Sequence, residues 1–182
     1  PKRKISAPMN HQITKTSELL GTRERILVTG GAGFIGGSVV RPLLQETEAT
    51  VFNLDQMGYS SDLTSLKKTH PKLGDEPFSR TQLLKVDLKN PKGVQAAVQK
   101  ADPDLVLNLA AESHVDRSIR SPGEFLDSNV IGTYNLLQAV LEHYRKLDTE
   151  RQESFRLHHI STDEVFGSLG ANGRFSENTP YA

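Results

Sequence analysis

The chain of 182 residues is 36% hydrophobic and 24% charged, a composition typical of a globular domain large enough to bury a core without disulfides or metals. Its 22 basic and 22 acidic residues balance, so charge favours neither nucleic acid nor an anionic membrane as a partner, and we expect neither. The sequence has no cysteine, which excludes a disulfide framework and a thiolate nucleophile and is compatible with the cytoplasmic location that we expect.

Residues 1 to about 22 are polar without a sustained period, which predicts a flexible extension before a single domain over 23–182. Short apolar runs in that domain predict buried strands, at 26–28, 51–54, 83–86, 105–109 and 157–160. Helical patterns separate these strands, over 39–44, 62–69, 92–100 and 124–147. Strands that alternate with helical crossovers predict an α/β fold built on a Rossmann-type, doubly wound parallel sheet.

Three details of these elements are specific enough to test. Pro42 should lie in the first turns of its helix, where a missing N–H costs least. The long helix after Pro122 and Gly123 is indicated by apolar residues at helical spacing, namely Phe125, Leu126, Val130, Tyr134, Leu137, Val140 and Leu141. His158 and His159 are adjacent on a strand and point to opposite faces, so we expect no shared metal site there and no metal elsewhere.

The most specific local signal is the turn after the first strand. Gly30, Gly33 and Gly36 stand at positions one, four and seven of that turn, which opens directly into a helix. Glycines in such a turn permit a tight bend and let the backbone approach a pyrophosphate, while the helix N-terminus offers unpaired N–H groups to the anion. The turn therefore predicts a phosphate-binding site for a nucleotide.

A carboxylate at the end of the second strand adds to this signal. Asp55 stands where it can accept hydrogen bonds from the ribose hydroxyls of adenosine. The same negative charge would repel a 2′-phosphate, which favours NAD over NADP. The alternative interpretation is that Asp55 only caps the turn that follows it.

Two further segments end strands at the same edge of the predicted sheet, where open α/β folds bind their ligands. Ala110 and Ala111 leave room for a cofactor ring, although they are also compatible with tight packing alone. Thr162, Asp163 and Glu164 bring a hydroxyl and two carboxyl groups together, and paired carboxyls can serve as acid and base in an elimination. A solvated loop or a helix cap is the alternative for these three residues.

Several motifs together resemble the dTDP-glucose 4,6-dehydratase family of extended short-chain dehydrogenases/reductases. The spacing of the glycines is typical of the extended family, and the resemblance runs from about Arg25 to the last residue. The motifs, in the expected order, are the segment Asn108–Ser118 after the fourth strand, Ser128–Tyr134 in the following helix, and Ser161–Gly167 after the fifth strand. Ser128, Gln56 and Phe166 replace a frequent threonine, lysine and tyrosine of the family.

The resemblance implies NAD as cofactor and a nucleotide sugar, dTDP-glucose, as substrate. It implies that Asp163 is the general acid and Glu164 the general base, and that Thr162 and Ser113 contact the sugar. The implied cofactor-binding residues are Gly30, Gly33, Phe34, Ile35, Gly36, Asp55, Gln56, Met57, Gly58, Asp87, Leu88, Leu109, Ala110, Ala111, Glu112, Ser113 and Ser128. The implied reaction oxidises C4 of the sugar, eliminates water across C5 and C6, and returns the hydride to C6.

The same resemblance implies a Tyr-x-x-x-Lys pair, and no tyrosine of this chain is followed by lysine at that spacing. We therefore expect an N-terminal portion of the enzyme that ends before the last strands and the substrate domain and is inactive alone. The complete enzyme is expected to form a homodimer. Two alternatives stay open, namely another nucleotide-sugar dehydratase, epimerase or decarboxylase of the same family, or a non-catalytic NAD-binding module.

Overall fold

A parallel sheet forms the centre of the protein in a computed structural model that describes residues 21, 23–64, 79–170 and 173–182. Within these residues the strands are β1 (Arg25–Thr29), β2 (Thr50–Asp55), β3 (Thr81–Lys85), β4 (Leu105–Asn108) and β5 (Arg156–His159). All neighbouring strands are parallel, and their order across the sheet is β3-β2-β1-β4-β5. This is the order of a Rossmann-type sheet, so the predicted α/β fold class is confirmed.

Helices connect the strands on both faces of the sheet. In chain order they are α1 (Phe34–Glu46), α2 (Pro91–Ala101), α3 (Val115–Arg120), α4 (Pro122–Phe125), a π-helical segment (Leu126–Gly132), α5 (Thr133–Tyr144) and α6 (Thr149–Ser154), followed by a 3₁₀ turn (Asp163–Phe166). No helix among the described residues is long and apolar enough to cross a lipid bilayer.

Apolar residues of the central strand β1 contribute to two separate hydrophobic cores, one on each face of the sheet. Ile26 and Val28 of β1 pack on one side with residues of α1, whereas Leu27 packs on the other side with residues of α2 and α5. All three side chains are fully buried. Burial on both faces explains why the centre of β1 is continuously apolar rather than alternating.

Several predicted boundaries need correction. Pro42 lies well inside α1 rather than in its first turns, because the helix begins as soon as the glycine turn ends at Phe34. The third strand runs over Thr81–Lys85 and so begins and ends earlier than the predicted 83–86. The short helices α3 and α6 were not predicted, because neither contains a buried residue and so neither shows a sustained apolar pattern at helical spacing. The predicted helix at 62–69 lies outside the described residues from 65 onward, as does the predicted extension except for residue 21.

The predicted long helix is present as the continuous run of α4, the π-helical segment and α5, but its apolar residues were a poor guide to its buried face. Val140 is the one residue of the apolar set that is buried, and it packs with Leu136 and Ala139. Leu126, Val130, Tyr134, Leu137 and Leu141 are exposed. The helix therefore carries two apolar faces, and contact between α5 and α2 decides which one enters the core.

Candidate nucleotide-binding cleft

The glycine turn between β1 and α1 is a position where side chains do not fit. Gly30 has φ +68°, and a Cβ there would lie 2.8 Å from the Cα of Ala110 in the loop after β4. A Cβ on Gly36 would overlap the carbonyl oxygen of Gly30. The turn is thus closed tightly enough for the N-terminus of α1, which has no side-chain cap, to face the space above the sheet with its first-turn N–H groups.

The carboxylate of Asp55 holds the loop after β2 against the glycine turn. Its Oδ2 accepts a hydrogen bond from the Ala32 N–H at 3.1 Å, and its Oδ1 accepts from the Met57 N–H and the Ser61 hydroxyl, both at 2.8 Å. The Asp62 N–H in turn donates to the Ala32 carbonyl at 2.8 Å. Asp55 is 7% exposed, so its orientation is fixed by these donors rather than by solvent.

A second polar network fixes the loop after β4. The Thr29 hydroxyl, which is fully buried, donates to the side-chain oxygen of Asn108 and accepts from the Ala110 N–H at 3.1 Å. The Asn108 side-chain nitrogen lies 2.9 Å from Nδ1 of His159, within hydrogen-bond distance. These bonds join the ends of β1, β4 and β5.

The loop continues into a segment held from the opposite side by the π-helical segment. Asn129 accepts from the Glu112 N–H at 2.8 Å and donates to the Glu112 carbonyl at 2.9 Å. This pair of bonds satisfies both backbone groups of Glu112, and Ser113 and Ser128 both line the cleft beside it.

The cleft above these loops has a volume of about 530 Å³, which is in the usual range for small-molecule sites. It lies beyond the carboxyl ends of the strands, as ligand sites of open α/β sheets do. The sequence-predicted residues that line it are Gly30, Gly33, Phe34, Ile35, Gly36, Asp55, Gln56, Gly58, Asp87, Leu88, Leu109, Ala110, Ala111, Glu112, Ser113 and Ser128.

Four predicted site residues are not in the lining of this cleft. Met57 has φ +60° and reaches Asp55 through its backbone N–H. Thr162, Asp163 and Glu164 follow β5 at the same edge of the sheet but are exposed to solvent. The Thr162 hydroxyl accepts from the Glu164 N–H at 3.3 Å, so it caps the 3₁₀ turn that carries both carboxyl groups.

A smaller cavity of about 240 Å³ adjoins the cleft. Tyr59 lines both spaces, and the Arg117 guanidinium stacks on its ring at 4.2 Å from the ring centre. The neighbouring Tyr59 raises the pKa of Arg117 above its ordinary value. Arg117 also forms a 3.5 Å ion pair with Glu124, so the loop after β2 is linked to α3 and α4 across the cleft.

Sequence reasoning did not select Thr29, Ser61, Tyr59 or Arg117 as site residues. The contacts of Thr29 with Asn108 and of Tyr59 with Arg117 join segments far apart in the chain, whereas the Ser61 hydroxyl reaches Asp55 within the irregular loop after β2. No regular local spacing signals any of these contacts. Thr29 carried a usable hint, because a polar residue that ends a buried strand needs a hydrogen-bond partner. His159 is in hydrogen-bond contact with Asn108, and the described part of the chain contains no group of three or more metal-binding side chains. The absence of a metal site stays a prediction.

The parallel sheet, the glycine turn and the cleft at the strand ends define a Rossmann-type α/β protein. The family model described as GDP-mannose 4,6 dehydratase matches residues 27–182. The chain therefore belongs to this family.

Individual relatives agree with the family match. A dTDP-glucose 4,6-dehydratase of Neisseria gonorrhoeae is 45% identical over 161 residues, which cover 88% of this chain and 45% of that protein. The structure of a dTDP-glucose 4,6-dehydratase from Bacillus anthracis in complex with NAD is 35% identical, with a TM-score of 0.66 over 87% of this chain and 44% of that one. A Thermus thermophilus UDP-glucose 4-epimerase in complex with NAD is 28% identical, with a TM-score of 0.68 over 87% and 44% of the two chains.

The resemblance to dTDP-glucose 4,6-dehydratase inferred from the motifs is thus confirmed. The chain spans under half the length of the curated relatives it matches.

Proposed function

We propose that this chain binds NAD in the cleft above β1, β2 and β4. The observation that carries the proposal is the combination of an uncapped helix N-terminus behind the glycine turn with a buried, fixed carboxylate at Asp55. The N–H groups of Phe34 and Ile35 would bind the pyrophosphate, and Asp55 the adenosine ribose. Asp87 and Leu88 would lie beside the adenine.

The remaining lining extends this assignment toward the reactive end of the cofactor. The loop from Leu109 to Ser113, which the Thr29 network and Asn129 fix, would border the nicotinamide. Gln56, Gly58 and Ser128 would complete the wall on the adenosine side. Bound NAD would accept the hydride from C4 of the sugar and return it to C6.

We infer that the protein to which this chain belongs acts as a dTDP-glucose 4,6-dehydratase. Glu164 would remove the proton from C5 of the oxidised sugar, and Asp163 would protonate the hydroxyl that leaves C6 as water. Thr162 would bind the hydroxyl at C4 and Ser113 would contact the sugar. The identity to dehydratases and the adjacent acid and base support this assignment over the epimerase alternative, because epimerisation eliminates no water.

A second candidate is a non-catalytic NAD-binding module. The observation that favours it is that Thr162, Asp163 and Glu164 are exposed and do not line the cleft. We therefore expect the 182-residue chain to bind NAD without dehydratase turnover.

Calorimetric titration of the chain with NAD and NADP tests the cofactor assignment. NAD should bind more tightly, because the Asp55 carboxylate would repel a 2′-phosphate. Equal or tighter binding of NADP would refute the role of Asp55, and failure to bind either would refute the cofactor site.

A chimaera tests the dehydratase assignment. Residues 25–182 of this chain would replace the matching part of the Neisseria gonorrhoeae enzyme, and formation of a 4-keto-6-deoxy product would be measured. The chimaera should be active, whereas its Asp163→Asn and Glu164→Gln variants should lose activity by about 100-fold or more. Variants that bind NAD and retain full activity would overturn the acid and base roles.

We also propose that the protein is cytoplasmic and forms a homodimer. The interface would be the exposed apolar stripe of the long helix, which consists of Leu126, Val130, Tyr134, Leu137 and Leu141. The side chains of Leu126, Val130 and Tyr134 are 61%, 57% and 58% exposed, which is unusual for a continuous apolar surface without a partner. Val130→Glu should shift the sedimentation of the protein toward monomer, whereas Gln138→Glu, outside the stripe, should not. A monomeric parent protein would exclude the proposal.

A further inference from the structure

The acceptor capacity of Asp55 is largely filled by the protein itself. A carboxylate oxygen accepts about two hydrogen bonds, and Oδ1 already accepts from the Met57 N–H and the Ser61 hydroxyl. Oδ2 accepts from the Ala32 N–H and keeps room for one more donor. A ribose with two free hydroxyls needs one acceptor position on each oxygen, so one of the present donors must leave.

The three donors differ in how readily they can leave. The N–H groups of Ala32 and Met57 belong to the backbone of the glycine turn and of the loop after β2, and Ala32 is held further by the Asp62 N–H at its carbonyl. The Ser61 hydroxyl can rotate about its side chain without any backbone movement. Ser61 also lines the cleft and is only half-buried, so its hydroxyl can turn to water.

We propose that the Ser61 hydroxyl occupies the position on Asp55 that a ribose hydroxyl takes when the nucleotide binds, and that Ser61 thereby lowers the affinity for the adenosine half of the cofactor. Ser61 is on this view a positioning residue that acts through Asp55. Without a nucleotide it keeps the carboxylate satisfied and oriented. With one bound, its hydroxyl is released to solvent, and the broken charge-assisted bond weakens binding. The inference rests on the proposed cofactor site.

Titration calorimetry with two probes separates this role from a structural one. ADP carries the ribose hydroxyls, whereas 2′,3′-dideoxy-ADP carries the same base and pyrophosphate without them. Ser61→Ala should bind ADP about two- to tenfold more tightly than the parent chain, because no internal bond is broken. Its affinity for 2′,3′-dideoxy-ADP should equal that of the parent.

Two more variants keep the test decisive. Ser61→Thr retains the hydroxyl and should bind ADP as the parent does, while Ser61→Gly should repeat the result of Ser61→Ala if alanine perturbs the loop. Weaker binding of both probes by the variants would show that Ser61 only supports the loop, and tighter binding of both would show that it only occupies space. Either result overturns the proposal. Failure of the parent chain to bind ADP and NAD would instead refute the cofactor site, and this inference with it.

Discussion

The two ends of the proposed site, which are the cleft and the segment after β5, differ in how much of their order comes from the segments around them. At the β1 and β2 end, Asp55 is 7% exposed and Thr29 is fully buried. Both side chains accept hydrogen bonds from backbone N–H groups in other segments of the chain. At the β5 end, Thr162, Asp163 and Glu164 are exposed, and the bond described for them runs within their own turn. The proposed cofactor end is thus built by β1, α1, β2 and β4 together, while the proposed acid and base, Asp163 and Glu164, follow β5 and are exposed.

This difference shows that the two ends depend on different physics. Binding a pyrophosphate and a ribose needs backbone N–H groups and a fixed carboxylate, which one βαβ unit supplies. A general acid and base need separated pKa values, which require burial or neighbouring charges. Substitutions of the same type at the two ends should therefore have unequal effects.

The largest effect is expected at the glycine turn. Gly36→Ala would place a methyl group on the Gly30 carbonyl and should lower the free energy of unfolding by about 3 kcal/mol and abolish NAD binding. Gly123→Ala, in α4 with open space around the added Cβ, should instead stabilise by about 0.5–1 kcal/mol. Urea unfolding of both variants checks the pair, and equal effects would contradict the tightness of the turn.

Exchanging matched carboxylates compares the two ends directly. Asp55→Asn would replace the carboxylate, which accepts three hydrogen bonds, with an amide. The substitution should lower the free energy of unfolding by about 2 kcal/mol and weaken NAD binding. Asp163→Asn, at an exposed position, should leave the stability and the NAD affinity within error of the parent. A large loss of stability in Asp163→Asn would show that the β5 end is more ordered than its exposure indicates.

The two threonines give a smaller contrast. Thr29→Val removes the bonds to Asn108 and to the Ala110 N–H from a buried site and should cost about 1–2 kcal/mol in unfolding free energy. Thr162→Val removes a long capping bond at the surface and should cost about 0.5 kcal/mol. Thermal unfolding followed by circular dichroism checks the difference, which should vanish if the Thr29 network is not formed.

The smallest effect concerns the link across the cleft. Tyr59→Leu removes the ring on which Arg117 stacks and should raise the dissociation rate of NADH by about two- to fivefold, whereas Tyr59→Phe keeps the stacking and should change it less. Stopped-flow displacement of NADH measures both rates. If NADH dissociates from the Tyr59→Leu variant and from the parent at equal rates, the stacking of Arg117 on Tyr59 has no role in retaining the cofactor.

Much of this structure was predictable because its signals are local. Continuous apolar runs marked β1 and β4, and a run interrupted only by Asn53 marked β2, since strands buried on both faces need no polar alternation. The spacing of the glycines indicated the turn, because no side chain fits at Gly30, which has φ +68° and packs against Ala110, or at Gly36, where a Cβ would overlap the Gly30 carbonyl oxygen. Asp55 followed from its place at the end of β2.

The apolar content of the 124–147 segment established a helix but not its orientation, because two of its faces are apolar and packing on α2 selects the one with Leu136 and Val140. Only the tertiary structure brings Thr29 to Asn108 and Arg117 to Tyr59, because the distance between these segments depends on the whole sheet. The Ser61 hydroxyl reaches Asp55 through the conformation of the loop after β2, which the sequence pattern did not specify. Amino-acid sequence by itself determined the strands, the glycine turn and the residue types of the site. Tertiary packing decided which polar groups satisfy one another, because a hydrogen bond depends on distance in space and local sequence spacing does not encode it.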